Sequence, residues 1–536
     1  MFIGATSYFQ HSAARSPDRP AVKVGGREYS YHELWHSAVR LANAIAAETP
    51  PEDRFVGLLA YRSYTVFSGI VGIHAAGKAY VPLNLKFPVQ RVADILNISA
   101  CRTVLVGKEF FPMLRELPAL LKRPTLFIAP EDEFPADLVA EGHRLIGAAA
   151  FTALGQDEYR PVEVSPEWPA YLLFTSGSTG KPKGIGISQH NLCSFIELMK
   201  ARYPLTDTDR CSQMFDTTFD ASVQDWVLAW SNGACLCCAS RAEMIFPVQF
   251  VRNNHITVWS SVPSTSAILK RMQQLKQGLF DEVKFVFFLG EALPVDIMKL
   301  YRSVAPHSRI INCYGPTEAT VTIGDYEWTE GDTPLGRDGV ATIGTVFSNH
   351  LYKIVDDDLR DIPDGEVGEL LLSGDQVSSG YFNDPDKTAQ SFIRLPDSDR
   401  IWYRTGDLVR RGGDGMLYYF SRKDHQLKIN GFRIEVQEVE EVIKKCCSTD
   451  LCVVLPGPPG SDVPQYLAAL LAADHPCSEE EVLECCRARL PEYMVPHEVY
   501  FVKEFRYNLN GKLDRNALKE VYAELHRSQK KIKEGK

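Results

Sequence analysis

Short apolar runs that end near glycine or proline alternate with helical patterns through the first 340 residues of the chain. Apolar runs of this length, separated by helical stretches, are typical of parallel strands that helices cover on both faces. The runs span 55–60, 103–107, 125–129, 171–177, 257–263, 283–290 and 309–315. We therefore expect an α/β protein with a large N-terminal body of stacked α/β/α sheets.

The pattern changes after about residue 340. The segments 350–374 and 399–422 contain closely spaced turns at Pro-Asp-Gly and Gly-Gly-Asp-Gly, which predict antiparallel hairpins in a small barrel-like subdomain. Beyond about 425, short apolar strands mix with helices, and Ser478 with Glu481 forms a predicted capping box. This last part is typical of a small α+β domain.

Length and charge exclude several classes of protein. The 536 residues allow two to four domains at about 150 residues each. The net charge of -10 argues against nucleic-acid binding, which favours a basic face. No stretch approaches the roughly 20 apolar residues that span a bilayer, and the N-terminus lacks the apolar core of a signal peptide. We therefore expect no nucleic-acid or membrane partner and a cytoplasmic location.

The 13 cysteines are scattered, and several are adjacent, as in Cys446-Cys447 and Cys485-Cys486. Adjacent cysteines favour a reducing compartment over a disulfide framework. Cys235 and Cys238 form a CxxC pair without a second pair at zinc-ribbon spacing. Because the pair lies in an apolar run, we interpret it as a buried strand.

One motif matches a zinc-binding pattern, but the neighbouring residues argue against zinc binding. His32-Glu33-Leu34-Trp35-His36 matches HExxH on a predicted helix. Glu33, however, lies three residues after Ser30 and fits the capping box that begins this helix. We interpret the segment as an ordinary helix, and a zinc protease remains a distant alternative.

The segment 175-TSGSTGKPKG-184 carries the strongest chemical signal. It follows a predicted strand and supplies many backbone N–H groups, hydroxyls and lysines, the donors that wrap polyphosphate. A Walker loop is excluded, because Thr175 and Pro182 stand where that motif needs glycine and a hydroxyl residue. The loop therefore predicts phosphate binding of another kind.

This loop resembles the phosphate-binding signature of the adenylate-forming superfamily, which joins acyl-CoA synthetases, luciferases and the adenylation domains of nonribosomal peptide synthesis. The resemblance covers nearly the full length and continues in order through five more segments. These are 314-YGPTEAT-320, 365-GEVGELLLSG-374 with Gly380-Tyr381, 403-YRTGDLVR-410, 422-RKDHQLKINGFRIE-435 and 508-NLNGKLDR-515.

The resemblance implies ATP and Mg²⁺ as cofactors and assigns roles to residues of these segments. Asn312 and Tyr314 would contact adenine, and Asp407 and Arg422 the ribose. Glu318 would hold Mg²⁺, and Lys512 would be the mobile catalytic lysine at the substrate carboxylate. The implied phosphate contacts are Thr175, Ser176, Gly177, Ser178, Thr179, Gly180, Lys183 and Thr317.

The family pattern also divides the chain into two domains. Residues 1–423 would form the N-terminal adenylate-forming domain and 424–536 a mobile lid that carries Lys512, with Asp424 as the hinge. Ser421 and Leu509 depart from the family pattern, where glycine and proline are usual. Neither change removes a catalytic group, so we expect altered backbone freedom and not inactivity.

The run 219-FDASVQDWVLAW-230 resembles that of amino-acid-activating members, including D-alanine–carrier-protein ligases, in which an aspartate pairs with the substrate ammonium. Here that residue is Asp220, which alternatively caps a helix. The family's other pocket positions correspond to Ala221, Gln224, Thr265, Phe287, Leu289, Cys313, Val321 and Thr322. They carry no charge, which predicts a small or medium neutral amino acid, although each position is also compatible with core packing.

About 24 residues follow Lys512, and no carrier-domain signature lies among them. We therefore expect a free-standing ligase that loads the phosphopantetheine thiol of a separate carrier protein. Two alternatives stay open: an acyl-CoA synthetase for a small acid, which Asp220 argues against, and a catalytically silent nucleotide-binding scaffold, which Glu318 and Lys512 argue against.

Overall fold

The computed structural model describes residues 4–138, 140–154, 158–176, 182–329, 335–396, 398–424, 426–449, 451–461, 464–473, 477–506 and 513–534. The chain divides into two compact units. The first comprises Met1–Leu85, Val92–Phe174 and Gly184–Lys423, and the second Lys86–Arg91, Thr175–Lys183 and Asp424–Lys536. The roles that the sequence assigns to the two parts, body and mobile lid, stay predictions.

A nine-stranded sheet lies in the first unit. Its strands are β1 (Pro20–Val24), β2 (Arg27–Ser30), β10 (Arg210–Gln213), β11 (Cys235–Cys238), β12 (Val258–Ser261), β13 (Phe285–Phe288), β14 (Arg309–Tyr314), β15 (Gly324–Trp328) and β18 (Thr345–Val346). Their order across the sheet is β18-β15-β14-β13-β12-β10-β11-β1-β2. The run from β14 to β1 is parallel, and the strands at both edges are antiparallel.

A second large sheet has eight strands. They are β3 (Phe55–Leu59), β4 (Ala79–Pro82), β5 (Thr103–Val106), β6 (Leu126–Ile128), β7 (Arg144–Ile146), β8 (Pro169–Thr175), β9 (Lys183–Ser188) and β21 (Tyr381–Phe382). Their order is β21-β9-β8-β4-β3-β5-β6-β7. The strands from β8 to β7 are parallel, whereas β21 and β9 pair antiparallel. Every apolar run singled out in the sequence overlaps one of the strands of these two sheets.

The hairpin region forms a five-stranded antiparallel sheet and a small two-stranded ribbon. The sheet contains β19 (Leu351–Val355), β20 (Gly368–Ser373), β22 (Phe392–Arg394), β23 (Ile401–Arg411) and β24 (Leu417–Arg422). The ribbon consists of β16 (Gly336–Arg337) and β17 (Val340–Ala341). In the second unit the strands are β25 (Leu427–Ile429), β26 (Phe432–Ile434), β27 (Cys452–Gly457), β28 (Tyr466–Ala472) and β29 (Glu498–Val502).

Helices connect the strands throughout the described residues. They are α1 (Thr6–Arg15), α2 (Tyr31–Glu48), α3 (Tyr64–Ala75), α4 (Val89–Ser99), α5 (Leu117–Leu120), α6 (Ala148–Ala153), α7 (Gln189–Arg202), α8 (Ala221–Asn232), α9 (Arg241–Ile245), α10 (Pro247–Asn253), α11 (Pro263–Arg271), α12 (Val295–Val304), α13 (Pro385–Ser391), α14 (Val436–Cys447), α15 (Glu479–Arg489) and α16 (Arg515–Glu534). Among the helices of the described residues, none combines the length and the apolar composition that spanning a bilayer requires.

Local sequence signals placed several helix ends correctly. The Ser30 hydroxyl accepts from the Glu33 N–H, and the Glu33 carboxylate accepts from the Ser30 N–H, which is the predicted capping box of α2. Ser478 and Glu481 cap α15 in the same way. Glu33 therefore has a structural role within the HExxH match, as the sequence indicates.

The nine-stranded sheet separates two hydrophobic clusters. Phe285 and Phe287 of β13 pack in one cluster with residues of α8, whereas Val286 and Phe288 pack in the other with residues of α12. Because the side chains of a strand alternate between the two faces of a sheet, the register of β13 decides which of its side chains lie on the face that α8 covers. That face carries most of the predicted amino-acid pocket.

The cysteines follow the sequence expectation with one exception. Cys235–Cys238 forms the buried strand β11, as predicted. Cys446 of α14 and Cys485 of α15, however, are joined by a disulfide, and the Arg489 guanidinium donates to both sulfurs. The other eleven cysteines are free thiols. The sequence does not reveal this pair, because its two members are 39 residues apart and meet only when the helices pack.

Candidate functional site

The structure describes most, but not all, of the predicted site residues. Gly177, Ser178, Thr179, Gly180 and Lys512 lie outside the described residues. Thr175 ends β8, and Lys183, which is buried, begins β9. The Thr175 hydroxyl is buried and finds no hydrogen-bond partner among the described residues, so it is a donor that suits a phosphate oxygen.

Ser176 is already engaged with protein. Its hydroxyl donates to the carbonyl of Arg433 and accepts from the N–H of Glu435, both at 2.9 Å. These contacts lie within the second unit. The hydroxyl that the resemblance directs at phosphate is thus bound to backbone here, and its phosphate contact remains a prediction.

Tyr314, Asp407 and Arg422 form one buried cluster. The Tyr314 hydroxyl donates to Asp407 Oδ2 at 2.6 Å, and Arg422 Nη1 donates to Asp407 Oδ1 at 2.9 Å. Asp407 and Arg422 are directly opposite in the antiparallel pair of β23 and β24, which explains their spacing of fifteen residues. Burial, and then the charge of Asp407, raise the pKa of Tyr314 well above its usual range, so the phenol stays protonated.

Asn312 lies two residues before Tyr314 on the same strand, β14. Its side-chain Nδ2 donates to the carbonyl of Thr342 at 2.8 Å, and the residue is buried. The predicted adenine-contacting residues therefore belong to one strand, and Asn312 also anchors the segment at Thr342.

The turn after β14 carries Thr317, Glu318, Val321 and Thr322. Its conformation requires Gly315, because a Cβ there would overlap the carbonyl oxygen of Val321. Thr320 and Val321 have positive φ values of 54° and 67°, which is costly for residues of this kind. A tightly constrained turn of this kind is often associated with a functional site.

Gln376 stabilises that turn and was not singled out by the sequence. Its backbone carbonyl accepts from the Thr320 hydroxyl at 2.6 Å, and its side-chain amide donates to the carbonyl of Thr322 at 2.8 Å. His350 Nε2 lies 2.8 Å from the Gln376 Oε1. The signal that could have found Gln376 is its place between two segments of the family pattern, 365–374 and Gly380-Tyr381.

Glu318 is fully buried in a 3₁₀ turn, Thr317–Ala319. Its carboxylate accepts from the Tyr381 hydroxyl at 3.0 Å, and its carbonyl accepts from the Ser378 N–H at 2.8 Å. Among the described residues, no group of three acidic, histidine or cysteine side chains is arranged to hold a metal by itself. One carboxylate fits Mg²⁺ nevertheless, because this ion is commonly held by one or two carboxylates together with substrate phosphates.

The predicted amino-acid pocket gathers on the α8 face of the nine-stranded sheet. Ala221, Phe287, Leu289, Cys313 and Val321 pack in the same hydrophobic cluster. The Thr322 hydroxyl donates to Gln224 Oε1 at 2.8 Å, and Gln224 Nε2 lies 4.0 Å from the Cys313 sulfur. Eight of the nine pocket positions, all except Thr265, are buried. Thr265 is half-buried in the first turn of α11.

Asp220 immediately precedes α8 and is 7% exposed. The sequence left open whether this aspartate caps the helix. Its backbone is in the αR conformation, and its side chain accepts no capping hydrogen bond. The capping interpretation is therefore not supported, and the carboxylate has to be explained by another contact.

Phe287, which the sequence expects to limit the depth of the predicted amino-acid pocket, is held by aromatic neighbours. Its ring meets Tyr203 edge to face at 4.8 Å and lies nearly parallel to Phe285 at 6.0 Å. Both neighbours belong to the same cluster, so the ring is packed from several sides. That this ring shortens the amino-acid pocket stays a prediction.

Asp225, one residue after Gln224, is a buried acid that the family's pocket positions do not include. Burial raises the pKa of its carboxyl well above the ordinary range, while Ser260 and Arg62 act in the opposite direction. Burial therefore favours the protonated form of this carboxyl. The signal that could have found it is its place inside the run 219–230, among apolar residues of the same helix.

Comparison with known proteins identifies the family of the chain. The model of the AMP-binding enzyme family matches residues 9–382, which include the phosphate loop and the Tyr314 turn. The chain belongs to the AMP-binding enzyme family. Within this AMP-binding family it resembles the adenylation domains of nonribosomal peptide synthetases.

A dimodular nonribosomal peptide synthase of Bacillus subtilis strain 168 is 31% identical to this chain over 96% of the chain's length. The chain spans 21% of the length of that synthase. The adenylation domain AlmE of Vibrio cholerae, solved with glycyl-adenosine-5'-phosphate, has a TM-score of 0.85 and 26% identity over 98% of both chains. PA1221, a protein with adenylation and PCP domains, has the same fold, with a TM-score of 0.79 and 23% identity over 96% of this chain and 84% of its own.

The fold class predicted from sequence is thus confirmed: a mixed α/β protein with a large N-terminal body and a smaller C-terminal part.

Proposed function

We propose that this AMP-binding enzyme is an AMP-forming ligase that activates a small or medium neutral amino acid. It would use ATP to form an aminoacyl-AMP and then transfer the acyl group to the phosphopantetheine thiol of a separate carrier protein. The buried Asp220 carboxylate at the start of α8, which does not cap its helix, is the observation that carries the amino-acid part of this proposal.

The nucleotide part is supported by the Tyr314, Asp407 and Arg422 cluster. Arg422 holds one carboxylate oxygen of Asp407 and Tyr314 holds the other, so the orientation of the carboxylate is set before the ribose arrives. A carboxylate fixed by two donors still has lone pairs that accept hydroxyl hydrogen bonds. Preorganisation of this kind lowers the entropic cost of binding.

The reaction requires charge neutralisation and in-line geometry. The substrate carboxylate attacks the α-phosphorus of ATP, an oxygen–phosphorus bond forms, and pyrophosphate leaves with the electrons of the broken bond. Thr175 and Lys183 would stabilise the departing phosphates, and Glu318 would hold Mg²⁺, which supplies positive charge there. By resemblance, Lys512 would reach the reacting carboxylate, and rotation at Asp424 would then admit the carrier thiol.

The substrate class follows from charge and volume. A substrate ammonium would pair with Asp220, whereas a fatty or aryl acid offers no positive charge to this buried carboxylate. The remaining pocket positions are neutral, and the Phe287 ring, which packs against Tyr203, would limit the depth of the pocket. The glycyl-adenylate in AlmE supports a small amino acid as the substrate.

The proposal is tested by amino-acid-dependent ATP–pyrophosphate exchange over a panel of amino, fatty and aryl acids. We expect exchange with a small or medium neutral amino acid, and a loss of roughly a hundredfold in Asp220→Ala. Asp281→Ala, an exposed aspartate, is the matched control. Exchange with fatty or aryl acids alone would replace the proposal with an acyl-CoA synthetase.

Two further results decide between the remaining alternatives. Loading of coenzyme A in place of any carrier protein would contradict the carrier step. Nucleotide binding that is unaffected by Lys512→Ala, without any exchange in the unaltered protein, would indicate a silent scaffold.

A further inference from the structure

Tyr381 is attached to two parts of the candidate site at once. Its backbone belongs to β21, which pairs antiparallel with β9, with Tyr381 opposite Ile185 and Phe382 opposite Gly184. Its hydroxyl donates to Glu318 Oε1 at 3.0 Å. The strand β9 begins at Lys183. Lys183 is the last residue of the predicted phosphate loop to which the resemblance assigns a phosphate contact.

The segment 376–381 holds the turn after β14 at several points. Ser378 donates its N–H to the Glu318 carbonyl at 2.8 Å, so backbone and carboxylate of Glu318 are both bound by this segment. Gln376 binds Thr320 and Thr322 of the same turn. The position of the Glu318 carboxylate therefore depends on a segment about 60 residues later in the chain.

The Tyr381 hydroxyl is itself held in place. Its ring packs edge to face on Phe392 with centroids 5.5 Å apart, and its N–H donates to the Thr388 hydroxyl at 2.9 Å. Tyr381 is 7% exposed and Glu318 is fully buried. A fixed hydroxyl beside a buried carboxylate restricts the rotation of that carboxylate.

We propose that Tyr381 is a positioning residue that aims the Glu318 carboxylate at the divalent cation accompanying ATP. This inference rests on the proposed function for the role of Glu318. Hydrogen bonds to a ligating carboxylate orient it, and their loss typically weakens metal affinity tenfold to a hundredfold. Because β21 pairs with β9, Tyr381 also links the cation ligand to the strand that leaves the phosphate loop.

Tyr381→Phe removes the hydroxyl and keeps the ring that packs on Phe392. We expect the Mg²⁺ concentration for half-maximal exchange to rise about tenfold, with the KM for ATP at saturating Mg²⁺ within about twofold of the unaltered protein. ATP-dependent Mn²⁺ binding, measured by electron paramagnetic resonance, should weaken by a similar factor. The double variant with Glu318→Gln should bind Mn²⁺ no more weakly than Glu318→Gln alone, because both act on one carboxylate.

Tyr31→Phe is the matched control, since this buried tyrosine donates its hydroxyl to the carbonyl of Ala234 and is no part of the candidate site. The inference is wrong if Tyr381→Phe shows the same Mg²⁺ and Mn²⁺ dependence as Tyr31→Phe. It is also wrong if Tyr381→Phe lowers the maximal rate equally at every Mg²⁺ concentration. If the unaltered protein shows no exchange, the proposed function fails, and the Mn²⁺ measurement still tests the positioning role separately.

Discussion

Asp407 accepts a 2.6 Å hydrogen bond from the hydroxyl of Tyr314, a residue 93 positions earlier in the chain. The two residues come from different sheets, β23 of the five-stranded sheet and β14 of the nine-stranded sheet. The predicted adenine and ribose contacts are therefore one connected unit, and a change in either residue should affect the other.

Asp407→Asn should be strongly destabilising as well as inactivating. Arg422 and Asp407 are about 10% exposed, so the substitution leaves a buried guanidinium without its anion, which costs about 3 kcal/mol. We expect the free energy of unfolding, measured with urea, to fall by about 3 kcal/mol. We also expect the KM for ATP to rise about tenfold or more. Asp358→Asn is the control, because the Arg360–Asp358 pair is exposed and contributes under about 1 kcal/mol. Equal unfolding midpoints of the two variants would contradict the buried-pair argument.

Gln224→Ala should change the choice of amino acid. The substitution removes the acceptor of the Thr322 hydroxyl and adds space between α8 and β14. We expect exchange with the preferred amino acid to fall about tenfold, and exchange with larger apolar amino acids to rise relative to it. Gln249→Ala, on the exposed side of α10, should leave the profile unchanged. An unaltered profile in Gln224→Ala would remove Gln224 from the pocket.

Gly315→Ala should abolish exchange and destabilise the protein by about 3 kcal/mol. The added Cβ would overlap the Val321 carbonyl oxygen, and the turn that carries Glu318 would have to move. Gly413→Ala is the matched change, since a Cβ there meets open space. Circular dichroism melts and exchange assays measure both effects. Normal activity in Gly315→Ala would show that this turn tolerates displacement.

His74 should make stability fall on mild acidification. Burial lowers the pKa of His74 to about 4, while its ring nitrogen contacts the Ala170 carbonyl at 2.9 Å. In the unfolded chain the imidazole titrates near its ordinary value of about 6.5. Between these values the unfolded state binds a proton that the folded state does not, so stability is lost as pH falls from about 6.5 to 4.

The expected loss from this single group between pH 7 and pH 5 is about 2 kcal/mol. His74→Gln should flatten the urea-unfolding profile over this range, whereas His307→Gln, an exposed histidine, should not. If His74→Gln keeps the pH dependence of the unaltered protein, another group is responsible for it.

Most of the features that the sequence predicted correctly depend on residues that are close together in the chain. Strand runs, the capping boxes at Ser30 and Ser478, and the buried Cys235–Cys238 strand depend on residues close in sequence, and all appear where the pattern places them. The phosphate loop was predicted from its own residues and by resemblance, and Lys512 by resemblance alone. Their roles stay predictions, because Lys512 and residues 177–181 lie outside the described residues.

The sequence by itself determined the fold class, the family and the identities of most candidate site residues, but not of Gln376 or Asp225. Only the tertiary structure decided that Tyr381 holds Glu318, that Tyr314 holds Asp407, that Asp220 does not cap α8, and that Cys446 meets Cys485. The physical reason is that side-chain pairs far apart in sequence depend on strand register and helix packing. Periodicity and motif spacing describe one segment at a time and carry no information about which distant partner it meets.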